Sequence, residues 1–567
     1  MSHRPAPLFA HLLGALALAG GLFGGLFGEP APSREDVAGA LRPRVAALPL
    51  GDDTRTLYAA ARYQPRWETT EAQVALYRAL AGAPEEGLPP ALVHAGRLAY
   101  LAGRLAALND APVPDDGPDP RAAVLAEADL LLTDGLLRYA DALLGRRVVP
   151  DSLYPDQWHA APRADTALVL LHRAVRAGDA DAALDALDAL RPRHPEYAAL
   201  RRALARLRAA EPYWAPIPDG APLHVGERSI RVPHLRGRLA ALGYLAADVN
   251  GWAAPEPFRF DSLLAGALAR FQADGELPAD SVLTPEVTRR LNRDHAEVVA
   301  AVEMNLERWR WLPDHLGDFH VLANLPAYEL TVRNVAARGG WRDTLRMPAA
   351  IGLADAGSWT TPVLSDSITT VVFDPTWYVP SSIAAASLLP MARADSTALT
   401  RQGFRVYRGG VPVDPRLVPW DSVSVDEFSF VQRPGRGNPL GRLKFVMPNA
   451  HAVLIHDTNK PGHFARADRA VSTGCVQASD APALARLLLG VVNRWPAGEV
   501  DAWMARWGER AVPLARPVPV HFVYFTAWPE ADGRLRLYDD VYGHDAVLAA
   551  ALGLPFGTAG DQAAEAG

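Results

Sequence analysis

The chain's one cysteine, Cys475, lies in Ser472-Thr473-Gly474-Cys475, 19 residues after His456. A glycine-bearing turn is an unusual place for a core thiol. A free thiol has a pKa of about 8.5, so it needs a base or a positive field to react as thiolate at neutral pH. His456, ending a strand-like run, supplies the base if the intervening loop folds back. Gly474 lets the backbone approach an incoming carbonyl. The N–H groups of Gly474 and Cys475 are then placed to hold a tetrahedral oxyanion, worth roughly 2.7–4 kcal/mol per donor. These are the parts of acyl transfer through a covalent thioester. Arg466 and Arg469, in the loop between, are expected to hold a substrate carboxylate by bidentate pairing. Ser472 and Thr473 are expected to contact substrate beside them. His451, His456 and His463 near one cysteine raise zinc as an alternative. His451 and His456 are five apart on a strand and so face opposite sides, and no second cysteine completes a structural site. No metal and no organic cofactor is expected.

These residues need elements to position them. Alternation places Ala452, Leu454 and His456 on one strand face, with Asp457-Thr458-Asn459 ending the strand. A helix follows the cysteine, with Ser479 or Asp480 as N-cap and Gly490 past its end. Phe319–Leu322, Ile368–Phe373, Leu443–Met447 and Val518–Phe525 are further β-rich runs, and no βαβ alternation appears. A mainly β, mainly antiparallel catalytic domain is expected over 297–550. Between Pro380 and Arg433 the sheet rhythm is lost, with a helix near Ile383 to Ala392. That stretch, about 381–433, reads as a lid insert, and 551–567 as a tail.

Upstream the chain is multidomain and helical. Over 34–220 the pattern is an α-helical scaffold, with Tyr197, Leu200, Leu204 and Leu207 on one stripe after a His194-Pro195 start. Leu130, Leu131, Leu136, Leu137 and Tyr139 mark another helix. The prolines of 212–222 read as a linker that lets the next unit be positioned independently. Residues 223–295 form a small three-helix pattern. Leu235, Leu239 and Leu242 share a face that Gly243 terminates, Leu263, Leu264, Ala267, Leu268 and Phe271 make a second stripe, and Thr284-Pro285 opens a third helix. Residues 1–30 carry Arg4 and an apolar run from Leu8 to Phe27, the pattern of an export signal, either cleaved or kept as a membrane anchor. The balance of 57 basic against 64 acidic residues, net −7, lacks the basic footprint of a nucleic-acid partner.

His456-Asp457-Thr458 followed by Ser472-Thr473-Gly474-Cys475 resembles the YkuD-type L,D-transpeptidases. Asn305 to Pro313, Thr361 to Ile383, Asn438 to Asn449, Asp539 to Asp545, Tyr63 to Trp67 and Arg191 to Tyr197 resemble the large murein subfamily. The small helical unit resembles a peptidoglycan-binding domain. The resemblance implies that Cys475 attacks a stem peptide at its third residue and releases D-Ala. His456 moves the proton, and a second diaminopimelate amine resolves the thioester to a 3→3 cross-link. It implies a periplasmic location, peptidoglycan stem peptides as donor and acceptor, and carbapenem-type inhibitors. Water in place of the amine would make an L,D-carboxypeptidase, and attachment of a lipoprotein or a non-catalytic wall-binding scaffold are the other readings. Gln477 stands where the family usually has arginine, and Thr473 replaces the more usual His or Ser.

Overall fold

The helical stripes fold as their spacing dictates in the computed structural model, which describes residues 31–111, 118–159, 163, 165–334, 342–354 and 359–557. His194 caps and Pro195 opens the helix Pro195–Ala210, and Tyr197, Leu200, Leu204 and Leu207 are all buried. The helix Pro120–Leu143 is buried on nearly every side because the other scaffold helices pack around it. The export-signal reading of 1–30 lies outside the described residues. Among those described, no helix is long and apolar enough to cross a membrane.

The small helical unit also forms at the expected signals. Gly243 ends Arg231–Ala241 with φ +79°, and Thr284 caps Pro285–Leu291 through the Val287 N–H. Leu263 departs from its stripe and is 65% exposed, leaving Leu264, Ala267 and Leu268 to face inward. Independence is overturned. The unit shares one hydrophobic core with Pro195–Ala210, His295–Arg310 and the C-terminal part of the chain. The proline-rich 212–222 segment is packed down: Ile217 is buried, Asn292 bonds both its N–H and its carbonyl, and the Arg238 guanidinium lies 3.8 Å from the Trp214 ring centroid. Proline fixes φ and removes a donor, but it does not stop neighbouring apolar side chains from finding a core.

The strands are β1 (Trp158–His159), β2 (Phe319–Asn324), β3 (Glu329–Asn334), β4 (Arg342–Gly352), β5 (Val363–Phe373), β6 (Trp377–Tyr378), β7 (Phe404–Arg408), β8 (Val411–Val413), β9 (Phe428–Gln432), β10 (Leu443–Val446), β11 (Ile455–His456), β12 (Ala470–Ser472), β13 (Val476–Ala478), β14 (Arg510–Val523), β15 (Ala527–Pro529) and β16 (Leu535–Leu537). The large sheet runs β1-β5-β10-β11-β13-β4-β3-β2-β14, and β14 pairs again with β5, so the sheet closes on itself. Most pairs are antiparallel, as the sequence implied. The β11–β13 pair is parallel, and it is this pair that carries the candidate histidine and follows the cysteine. One face of these strands is core: Val371, Phe445, Ile455, Val476 and Ala478 are wholly or nearly wholly buried. The other face carries the candidate residues, among them the partly exposed Lys444 and Cys475.

The insert is a folded body with a core of its own. After short helical turns from Ser381 to Arg401, a four-stranded sheet in the order β6-β9-β7-β8 encloses its own core of Leu388, Leu399, Phe404, Val406, Trp420, Phe428 and Phe430. Its strands are two to five residues long and broken by Gly409, Gly410 and Pro412, which hid the sheet rhythm.

Candidate active site

The strand expected over Ala452–His456 shortens to Ile455–His456. Ala452 adopts φ +54°, and the Asn449 side chain bonds the N–H groups of His451 and Val453 and the Val453 carbonyl, turning the chain before it can pair. Leu454 then runs beside Cys475, with the Val476 N–H on the Leu454 carbonyl at 3.0 Å. The register pairs His456 with Gln477 on β13 and with Lys444 on β10. Side chains alternate along a strand and agree across a pair, so Lys444, His456 and Gln477 form one row on the open face. Cys475 stands on the same face one row along.

Cys475 is held by its own turn. Gly474 sits at φ +106°, a conformation L side chains rarely adopt, which is why glycine precedes the thiol. The Ser472 hydroxyl donates to the Cys475 carbonyl at 2.5 Å and accepts from the Gly474 N–H at 3.2 Å. Thr361 Oγ1 donates to the Gly474 carbonyl and accepts from the Gly352 N–H, both at 2.8 Å. The Tyr542 hydroxyl accepts from the Thr361 N–H and donates to the Gly352 carbonyl. Behind it, the Tyr542 N–H bonds Tyr524, Tyr524 bonds Asp540, and Asp545 pairs with the buried Arg308 at 2.5 Å. The segments around Asn305–Pro313, Thr361 and Asp539–Asp545 thus meet behind one turn.

His456 is oriented by its neighbour's main chain: Nδ1–H donates to the Asp457 carbonyl. That bond fixes the tautomer and leaves Nε2 as the acceptor. Burial depresses the His456 pKa to about 4, opposed by that bond, and burial raises the Cys475 thiol, opposed by a main-chain hydrogen bond from Leu454. Both shifts favour a neutral thiol and a neutral imidazole in the resting pair, with His456 buried and Cys475 partly exposed. His451 stacks on His159 at 4.1 Å, away from this row, and no metal-holding group of His, Cys, Asp or Glu occurs among the described residues.

Several expected substrate contacts fall elsewhere. The Arg469 guanidinium is buried and clamped by Glu276 of the small helical unit, at 2.7 and 3.2 Å, so it has no free fork for a substrate carboxylate. Ser472 is spent on the turn, and the Gly474 N–H meets its hydroxyl instead of facing an oxyanion. Of the two expected donors, only the Cys475 N–H has no partner within the chain among the described residues. Arg466 and Thr473 remain exposed at the rim. Asp480 is the N-cap of Ala481–Val492, and Gly490 lies inside that helix, whose last turn continues to Val492. Sequence reasoning missed Lys444 altogether. The signal was composition: only two of the 57 basic residues are lysines, Lys444 and Lys460, and they flank His456.

Comparison with known proteins places this site. Residues 318–505 match the L,D-transpeptidase catalytic domain family, and residues 52–204 match a scaffold domain family. A Haemophilus influenzae protein named "Putative L,D-transpeptidase" is 30% identical over 254 residues, which is 44% of this chain and 49% of that protein, so the chain spans about half the relative's length. A solved L,D-transpeptidase from Xylanimonas cellulosilytica aligns at 15% identity over 54% of this chain and 98% of that one, with a TM-score of 0.17. The segment that holds the closed sheet, with Cys475 and His456 on one of its faces, is thus similar to the L,D-transpeptidase catalytic domain family, and the helical segment before it is similar to the scaffold domain family.

Proposed function

We propose that this chain is an exported, periplasmic L,D-transpeptidase that builds 3→3 cross-links between peptidoglycan stem peptides through a thioester on Cys475. One observation carries the reading: a buried imidazole tautomerically fixed by the Asp457 carbonyl lies on the same sheet face as the only thiol. A neutral pair of this kind transfers its proton as the attack occurs. Cys475 Sγ bonds to the donor carbonyl while its proton passes to His456 Nε2. The C–N bond to D-Ala breaks, and the imidazolium delivers that proton to the departing amine. The side-chain amine of an acceptor diaminopimelate then attacks the thioester, losing a proton to His456 and regenerating the thiol. The Cys475 N–H is the main-chain donor left for the developing oxyanion. The insert, beside β10 in sequence, is read as the cover over this face, and carbapenems as acylating inhibitors.

Intact-mass analysis after carbapenem exposure should show one adduct mapped to Cys475. Purified enzyme with tetrapeptide-bearing fragments should give 3→3 dimers, and Cys475→Ala should give none. Cross-link formation by Cys475→Ala at wild-type level would sink the assignment. Tripeptides without dimers would make the same acyl-enzyme a carboxypeptidase.

A further inference from the structure

The face around Cys475 lacks the cation that the sequence assigned to it. Gln477 stands in place of the family's usual arginine, Arg469 is committed to Glu276, and Arg466 lies exposed on the loop. A stem peptide nevertheless brings a carboxylate close to the attacked carbonyl, on the residue that leaves. Something on this face must meet that charge if such a donor is to bind well.

We infer that Lys444 is the carboxylate-binding residue of the donor site, a specificity-determining role that rests on the transpeptidase reading above. Three observations support it. Lys444 is the direct antiparallel partner of His456, so its side chain leaves the sheet on the reactive face, next to the imidazole. It is half-buried, and no ion pair to it occurs among the described residues. Glu509 is the carboxylate whose field reaches it, and both Glu509 oxygens already bond Thr376. On the other side of His456, the Gln477 side chain is buried and its Oε1 has no hydrogen-bond partner among the described residues, a second polar group on this row. Burial lowers the Lys444 pKa, opposed by Glu509, so a carboxylate bound beside it would favour the ammonium form.

Composition sharpens the point. A chain that uses arginine at nearly every basic position keeps lysine here. Arginine's planar fork is always charged and needs room for several donors, whereas lysine is a compact point charge on a flexible stem. A half-buried position on β10, in the row between β5 and the imidazole, suits the second better than the first.

The test pairs two donor peptides, identical except that one ends in a free carboxylate and the other in a carboxamide. Lys444→Met keeps stem length and removes the charge. It should raise KM for the carboxylate donor by about 10- to 100-fold, the value of one charge-assisted hydrogen bond, with kcat nearly unchanged. The carboxamide donor should respond little. Lys444→Arg should recover only part of the discrimination. Calorimetry of both peptides on Cys475→Ala reads the same charge dependence without turnover, and alkylation of Cys475 by neutral iodoacetamide checks that the site is assembled in Lys444→Met. Equal effects on both donors, or none on either, would overturn the assignment. Lys444-dependent binding with no turnover would instead sink the transpeptidase reading and leave the binding role standing.

Discussion

The small helical unit read as an independently positioned module and the insert as a lid between catalytic strands, and the structure gives a core of its own only to the insert. The small unit, introduced by a proline-rich segment, has no core of its own. Its leucines merge with Trp309, Phe525 and Trp528. The Leu242 carbonyl accepts the Leu535 N–H, Arg534 bonds Asp274, and a Cβ on Gly243 would meet the Gly533 carbonyl at 2.2 Å. The insert, which showed no sheet rhythm, closes a core of ten buried residues that belongs to it alone. A separate core, and not a proline-rich approach, makes a unit separable.

The largest expected effect follows from that contrast. Excising the insert should leave the closed sheet folded, because Trp377 pairs with Gln432 and the two ends of the cut already lie side by side. Excising the small unit should strip one side from the core that holds Trp309 and Phe525, giving insoluble or non-cooperatively melting protein. Circular dichroism melts and size-exclusion chromatography of the two deletions decide it. A well-folded product lacking residues 223–292 would restore the picture of an independent module.

How much of this was legible depended on how local each signal was. The helix starts at His194-Pro195 and Thr284-Pro285 and the stop at Gly243 are decided by a few neighbouring residues, and they were readable. So were the turn at Cys475 and the strand end that puts His456 on the same sheet face, because their residue types have few other uses in that pattern. Long-range partners were not. Glu276 and Arg469 are 193 residues apart, and only the fold brings them together, so Arg469 read as a free cation. Ala452 at positive φ broke a strand whose alternation looked sound, since the Asn449 cap that turns it competes locally with pairing. Lys444 escaped notice because its motif looked like an ordinary strand.

Acid should separate the two regions again, by a smaller margin. Burial depresses His194, His320 and His456 to about 4 and His544 to about 3, and all four belong to the body. A folded-state pKa below the unfolded 6.5 means the unfolded chain takes up the proton first. The stability is therefore full above 6.5 and is lost as pH falls toward 4, by roughly 2 kcal/mol per histidine at pH 5. The insert has no histidine between Ser381 and Arg433. Bonds from Thr397 and Arg401 hold Asp395 at about 2, and bonds from Arg416 hold Asp414 at about 2, so these carboxylates stay charged throughout the window. Hydrogen exchange at pH 5 against pH 7.5, compared at matched intrinsic rates, should show protection lost in the barrel before β7 and β9. Uniform loss across both would mean the insert's core leans on the body after all.

The smallest effect probes a polar clamp that joins the small unit to the catalytic loop. Arg469 is buried, its carbonyl accepts the Ile351 N–H, and β12 starts at the next residue and delivers Ser472 to the cysteine turn. Glu276 holds the guanidinium from outside and is itself about half exposed, so solvent screens much of the pair's attraction. Glu276→Gln keeps the shape and one acceptor while removing the charge, and the cost should stay near 1 kcal/mol. Because Arg469 precedes the turn, a loosened loop should appear less as a lower melting temperature than as a changed rate at the thiol. Iodoacetamide alkylation of Cys475 should shift about two- to fivefold, the range that corresponds to that free energy, and Arg469→Lys should shift it in the same direction. An unchanged rate in both variants, with an unchanged melt, would show that the clamp transmits nothing and that the shared apolar core alone ties the small unit to the site.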